Sequence, residues 1–165
     1  MTPNPALRPL PLPEGVPGRM FLTAMPGRFG PLADLVAALR AARVGHVLCL
    51  AGAAEVAAKS PDYAQALATG ALPARWSAMP VADFGAPADA AAFTAWLADA
   101  AALLRQGEAV ALHCAAGIGR TGTAALCLLH LLGVPAELAA AQVQAAGAGP
   151  ETPQQREFVA AFIAS

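Results

Sequence analysis

The chain has 165 residues, 57% of them hydrophobic and 13% charged, and a formal net charge of −1, which suits one domain around one continuous core. With a single lysine, Lys59, and no basic run, neither a nucleic-acid partner nor an anionic membrane surface is expected, and despite a mean hydropathy of +0.52 no apolar run approaches the ~18 residues that a membrane span needs. Three cysteines, Cys49, Cys114 and Cys127, are too few and too far apart for a disulfide framework or a four-ligand zinc site, so a reducing cytoplasm, no metal and no cofactor are expected.

In chain order, "MTPNPALRPLPLPEGVPGRM" lacks the charged start, apolar middle and small-residue cleavage site of a secretory signal. It reads as an extended proline-rich arm over residues 1–18, ahead of a single domain over 19–165. "RMFLTA" is a short first strand, and "PLADLVAALRAARV" is a helix with proline in its first turn and apolar residues spaced by three and four. "GHVLCLAG", four apolar residues between glycines, reads as a buried parallel strand. Helical or irregular chain follows from 53 to 69, and then "ARWSAMPVADFGAP", a strand running into an Asp, Gly and Pro loop. An alanine-rich helix over 88–106, a second buried strand "EAVALHC", and apolar helices over 120–132, 135–146 and 153–164 complete the pattern. Strands alternating with helices imply an α/β domain with a mostly parallel sheet of about four to five strands, flanked by helices. Trp76 and Trp96 are expected in the core, with Cys127 and His130 as packing residues.

The chemistry concentrates in "ALHCAAGIGRTGTAALCLL". In an open parallel sheet, ligands bind beyond the carboxyl ends of the strands, and Cys114 stands at such an end. The loop Ala115, Ala116, Gly117, Ile118, Gly119 turns on its glycines, so that successive backbone N–H groups can face inward as an anion cradle. The next helix adds its positive end. A cysteine there is expected to react as the thiolate. Arg120 offers paired planar donors for two phosphate oxygens. Thr121 brings a hydroxyl within reach of the sulfur, to stabilise it as a leaving group. His113 is expected to face away from the substrate and to hydrogen-bond backbone around the loop.

"HCAAGIGRTG" resembles the H-C-x-x-G-x-x-R-[S/T]-G signature of cysteine-dependent protein tyrosine phosphatases. The length is closer to the small dual-specificity branch. Within it, "LTAMPGRF", "HVLCL" followed by Glu55, "PVADFGAP" and "TPQQREFV" resemble the kinase-associated phosphatase layout from about Leu22 to Phe162. The resemblance implies a dual-specificity-phosphatase-like fold and a phosphocysteine mechanism acting on a phosphorylated protein. It implies Asp83 of D-x-G-x-P as general acid, and a helper in Gln154 or Gln155 that positions the hydrolytic water. Val81 and Ala82 stand where the family usually carries Trp and Pro. Asp89 is the fallback acid, although its position reads as a helix cap. Some phosphatases of this layout protect an oxidised nucleophile with a second cysteine; "HVLCL" and "VALHC" are expected to be neighbouring strands, which makes Cys49 the redox partner of Cys114 or else a small buried hydrophobe.

Three other readings stay open. A phosphoinositide or other small phosphate ester is one substrate, though the loop carries no lysine to favour polyanions. A catalytically silent phosphate-binding module would keep the fold, but such members typically lack one of Cys114, Arg120, Thr121 or Asp83. A sulfurtransferase also sets a cysteine in a cradle loop, but has no use for Asp83. The chain is expected to act as a monomer.

Overall fold

The last strand in chain order sits at the centre of the sheet. In the computed structural model, which describes residues 6–165, the strands β1 (Arg8–Leu10), β2 (Arg19–Thr23), β3 (His46–Cys49), β4 (Arg75–Ala78) and β5 (Ala109–His113) lie in the order β1-β2-β5-β3-β4. β1 runs antiparallel to β2, and the other pairings are parallel. All five residues of β5 are buried, as expected of a short apolar strand covered on both faces.

Seven helices cover the sheet: α1 (Leu32–Ala41), α2 (Ala53–Lys59), α3 (Pro61–Thr69), α4 (Ala90–Arg105), α5 (Gly119–Leu131), α6 (Ala136–Ala145) and α7 (Pro153–Ala164). The period-two alternation of β5 divides the core. Val110 and Leu112 pack with Phe93 and Leu97 of α4 and with α5, α6 and α7. Ala109 and Ala111 pack with Leu35 and Leu39 of α1, Val56 of α2 and Tyr63 of α3. α5 is buried almost all round, which its apolar sequence requires. Its Gly122 is pressed against the backbone of Gly149, leaving no room for a Cβ.

Local chemistry sets the helix starts. The Asp89 carboxylate accepts from Ala92 N at 3.0 Å and caps α4. The Thr152 hydroxyl accepts from Gln155 N at 3.2 Å ahead of Pro153, the first residue of α7. The stretch 53–69 is two helices broken at Ser60, whose hydroxyl donates to Pro26 O at 2.7 Å.

Two features differ from the sequence reading. The proline-rich arm supplies a strand: Arg8, Pro9 and Leu10 pair with Leu22, Phe21 and Met20, because Leu7 and Leu10 bury their side chains in the two clusters. Trp76 is not in the core. It is 45% exposed on the edge strand β4, which has a neighbour on one side only and whose residues are all exposed; Trp96 is partly buried and packs on the core. Among the described residues no helix is long and apolar enough to cross a membrane.

Candidate active site

The central strand delivers the nucleophile candidate. β5 ends at His113, paired on one side with Thr23 and on the other with Cys49, and the next residue, Cys114, is only 2% exposed. The loop then turns at Gly117 with φ +75°, a left-handed conformation that favours glycine. A Cβ there would lie 2.5 Å from Thr23 O. Met25 N donates to Ala115 O at 3.1 Å, and Gly149 N donates to Ile118 O at 3.1 Å, so the loop is tied to both flanking segments. α5 begins at Gly119, and in its first turn the Thr121 hydroxyl donates to Cys114 Sγ at 3.0 Å.

His113 lies fully buried behind this loop. Its Nδ1 is 2.8 Å from Cys114 O, and its Nε2 is 2.8 Å from the Tyr63 hydroxyl. A carbonyl only accepts, so Nδ1 carries the proton and Nε2 accepts from Tyr63. Burial pushes the imidazole down to about 4, which keeps it neutral, and burial pushes the Tyr63 phenol up.

Arg120 is the hub of the charges. Its Nη1 donates to Glu55 Oε1 at 2.7 Å and to Val81 O at 2.9 Å; its Nη2 donates to Glu55 Oε2 at 2.7 Å and to Asp83 Oδ1 at 3.1 Å. This two-pronged pairing fixes the guanidinium plane. The Arg120 hydrogen bonds hold Glu55 down at about 2 against burial. Lys59, one turn along α2, donates to Glu55 Oε2 at 2.8 Å and to Asp83 Oδ2 at 3.3 Å. Asp83 is thus held by two cations at the head of its loop. That loop is strained at Phe84, a non-glycine residue with φ +61°. Two groups of α7 brace it: the Thr152 hydroxyl donates to Phe84 O at 3.0 Å, and Gln155 Nε2 donates to Gly85 O at 3.1 Å.

A pocket of about 130 Å³ brings Asp83, Cys114, Ala115, Ala116, Gly119, Arg120 and Gln155 together, with Arg28, Phe84 and Glu151 completing its wall. Gln154 is exposed on the outer face of α7, whereas Gln155 is fully buried. Both ends of the Gln155 amide are engaged, since Oε1 accepts from Glu151 N at 2.7 Å, so it is a strut between α7 and the Asp83 loop. Asp89 serves its helix. Cys49 is a free thiol that donates to Ala51 O at 3.3 Å, and burial pushes it up to about 11. It neighbours β5 in the sheet but packs in the α1 and α3 cluster, opposite the one that holds Cys114. Cys127 is buried in α5, and His130 packs edge-on against Phe162.

Sequence reasoning noted Glu55 only by position and had no account of Lys59, Arg28 or Glu151. The i,i+4 spacing of Glu55 and the sole lysine was the available signal.

The fold is that of known phosphatases. Kinase associated phosphatase carrying a serine at its catalytic cysteine is similar at 19% identity and a TM-score of 0.79, over 96% of each chain. Tk-PTP in its active form is similar at 22% identity and a TM-score of 0.73, over 97% of each chain. TpbA of P. aeruginosa is similar at 22% identity and a TM-score of 0.62, over 97% of this chain and 92% of the other. No curated protein matches in sequence. The family model described as "Tc-R-P: Polymorphic toxin system, DSP-PTPase phosphatase" matches residues 23–133, which hold Asp83, Cys114, Arg120 and Thr121. With the signature loop at the carboxyl end of the central strand and most of its length under that match, the chain belongs to the Tc-R-P family of DSP-PTPase phosphatases.

Proposed function

We propose that the chain hydrolyses phosphotyrosine, and phosphoserine or phosphothreonine, in proteins by two displacements at phosphorus. In the first, the Cys114 sulfur attacks phosphorus, the bond to the leaving oxygen breaks, and Asp83 gives that oxygen its proton. In the second, water attacks the phosphocysteine, Asp83 takes the water's proton, and the sulfur–phosphorus bond breaks. The Thr121 hydroxyl donates to the departing thiolate. Arg120, oriented by Glu55, turns its donors to the equatorial oxygens, and the backbone N–H groups of 115–120 hold the remaining charge.

The observation that carries this reading is that Asp83, Cys114 and Arg120 line one pocket, with the Thr121 hydroxyl on the sulfur. The uncharged side chains of Ala115, Ala116 and Ile118 support a protein substrate with one phosphate. A nucleophilic thiol also has to stay reduced, which supports a cytoplasmic setting. A second reading, a phosphoinositide or other small phosphate ester, draws on Arg28. It lines the same pocket and pairs with no carboxylate among the described residues, which suits a second negative charge on the substrate.

A panel of phosphopeptides and inositol phosphates, run with wild type and Cys114→Ser, tests both. Wild type is expected to turn over phosphopeptides and to yield a phosphocysteine adduct on acid quench, while Cys114→Ser binds without turnover. Turnover by Cys114→Ser would overturn the mechanism. Inositol phosphates as the only substrates would decide for the second reading.

A further inference from the structure

Arg8 lies on β1, outside residues 23–133 that the family model matches, yet its side chain reaches the phosphate-loop candidate. Nη2 donates to Gly117 O at 2.6 Å, and Nη1 donates to Ala146 O, at the end of α6, at 2.8 Å. Its backbone is fixed by pairing with Leu22 and by the buried Leu7 and Leu10 on either side. The fit is close: a Cβ on Gly117 would stand 2.7 Å from Nη2, so the glycine that permits the turn also admits the guanidinium.

The geometry of one peptide unit gives this contact its meaning. The described residues contain no cis peptide bond, and in a trans unit the C=O and the following N–H point in opposite directions. Arg8 lines the large groove and Cys114 the small pocket, and neither lines the other's cavity, although Ala116 borders both. With Gly117 O held toward Arg8, Ile118 N–H points away from the guanidinium. An anion cradle needs its N–H groups inward and its carbonyls outward. Rotation of this unit would instead set a carbonyl oxygen against a phosphate. The charge of Arg8 also acts through the loop: burial lowers the guanidinium from its ordinary value, and the Cys114 charge opposes that.

We propose that Arg8 is a positioning residue that locks the Gly117–Ile118 peptide with its N–H toward the substrate phosphate, which makes the N-terminal arm a working part of the active site. The proposal rests on the reading of residues 114–120 as a phosphate site. Lysine keeps the charge but replaces two donor nitrogens in a fixed planar fork with one, so it reproduces this pairing only in part.

The test is tungstate binding by calorimetry, which needs no turnover, together with kcat and KM for para-nitrophenyl phosphate. It uses wild type, Arg8→Met, Arg8→Lys and, as a charge control on the exposed end of α1, Arg40→Met. A hydrogen bond from a charged donor commonly contributes enough to change an equilibrium about ten-fold or more. Arg8→Met is therefore expected to bind tungstate about ten-fold more weakly at temperatures well below its Tm and to lose kcat. Arg8→Lys is expected to recover part of both, and Arg40→Met to match wild type. Faster hydrogen exchange at the Ile118 amide of the tungstate-bound protein in Arg8→Lys is the second readout, and it stands even where Arg8→Met does not fold. A lower Tm with unchanged tungstate affinity, or unchanged exchange at Ile118, would overturn the proposal. Failure of wild type to bind tungstate would instead overturn the phosphate site itself.

Discussion

Glu55 gives the sharpest test of how the arginine is held. Its carboxyl falls from 4.5 to about 2 on folding, chiefly through its hydrogen bonds with Arg120, a difference that corresponds to at most about 3 kcal/mol. The carboxylate keeps 18% of its side chain exposed, and Asp83 and Val81 O remain as partners of Arg120 in its absence, so about 2 kcal/mol is the working figure. A depressed carboxyl stabilises the fold above its unfolded value and ceases to do so as pH falls through its folded value. Glu55→Gln is therefore expected to be about 2 kcal/mol less stable than wild type at neutral pH, about 4–8 °C in Tm. The gap should narrow from pH 4.5 toward about 2. His113, lowered from 6.5 to about 4 by burial, makes both proteins lose stability as pH falls from 6.5 to about 4, and most of this cancels in the comparison because Glu55 is the smallest of the influences on it. Urea unfolding of the pair from about pH 3 to neutral measures the gap. A gap that stays constant across this range, or is absent at neutral pH, would refute the assignment of Glu55 as the charged anchor of Arg120.

Asp83→Ala is expected to lower kcat by ~10²–10⁴ and to flatten the acid-to-neutral pH–rate profile by removing the fall in kcat/KM with rising pH that a general acid imposes, whereas Asp89→Ala should cost about 1 kcal/mol of stability and leave kcat intact; steady-state kinetics of the two variants exposes a misassigned acid. Gly122→Ala, ordinarily favourable inside a helix, should instead cost about 1–3 kcal/mol because the new Cβ meets the Gly149 backbone, while Gly30→Ala, which opens onto free space, should leave Tm near wild type. Because Cys49 packs in the cluster opposite Cys114, peroxide followed by thiol is expected to restore wild type and Cys49→Ser equally; a Cys49–Cys114 cross-link visible by mass spectrometry, with poorer recovery of Cys49→Ser, would make Cys49 the redox partner instead.

The order of strands and helices was legible because burial imposes periodicities on a contiguous stretch. The signature loop was legible because its residues are consecutive, so local geometry alone places the Thr121 hydroxyl by Cys114. What depends on long-range placement was not. Trp76 reads as a core residue until β4 is known to be an edge. The choice between Gln154 and Gln155 depends on the phase of α7, set by the Thr152 cap. The Tyr63 hydroxyl on His113 comes from a stretch with no motif. The contacts of Arg8 span 109 and 138 residues from within a proline-rich segment whose composition says only that it is extended.

The middle position of β5 has a consequence for the order of assembly. Until residues 109–113 exist, the sheet can consist only of two separate ribbons, β1 with β2 and β3 with β4. A chain growing from its amino end holds these halves apart, with no parallel partner for β2 and one side of β3 open. Insertion of β5 welds the ribbons, and the residue that follows the weld is Cys114. The reactive thiol is thus synthesised only after all four strands that its own strand joins, and Glu151 and Gln155 of its pocket wall come later still. Partly made chains carry neither the sulfur nor the cradle, and the first appearance of activity on refolding should coincide with the slowest non-local pairing in the molecule.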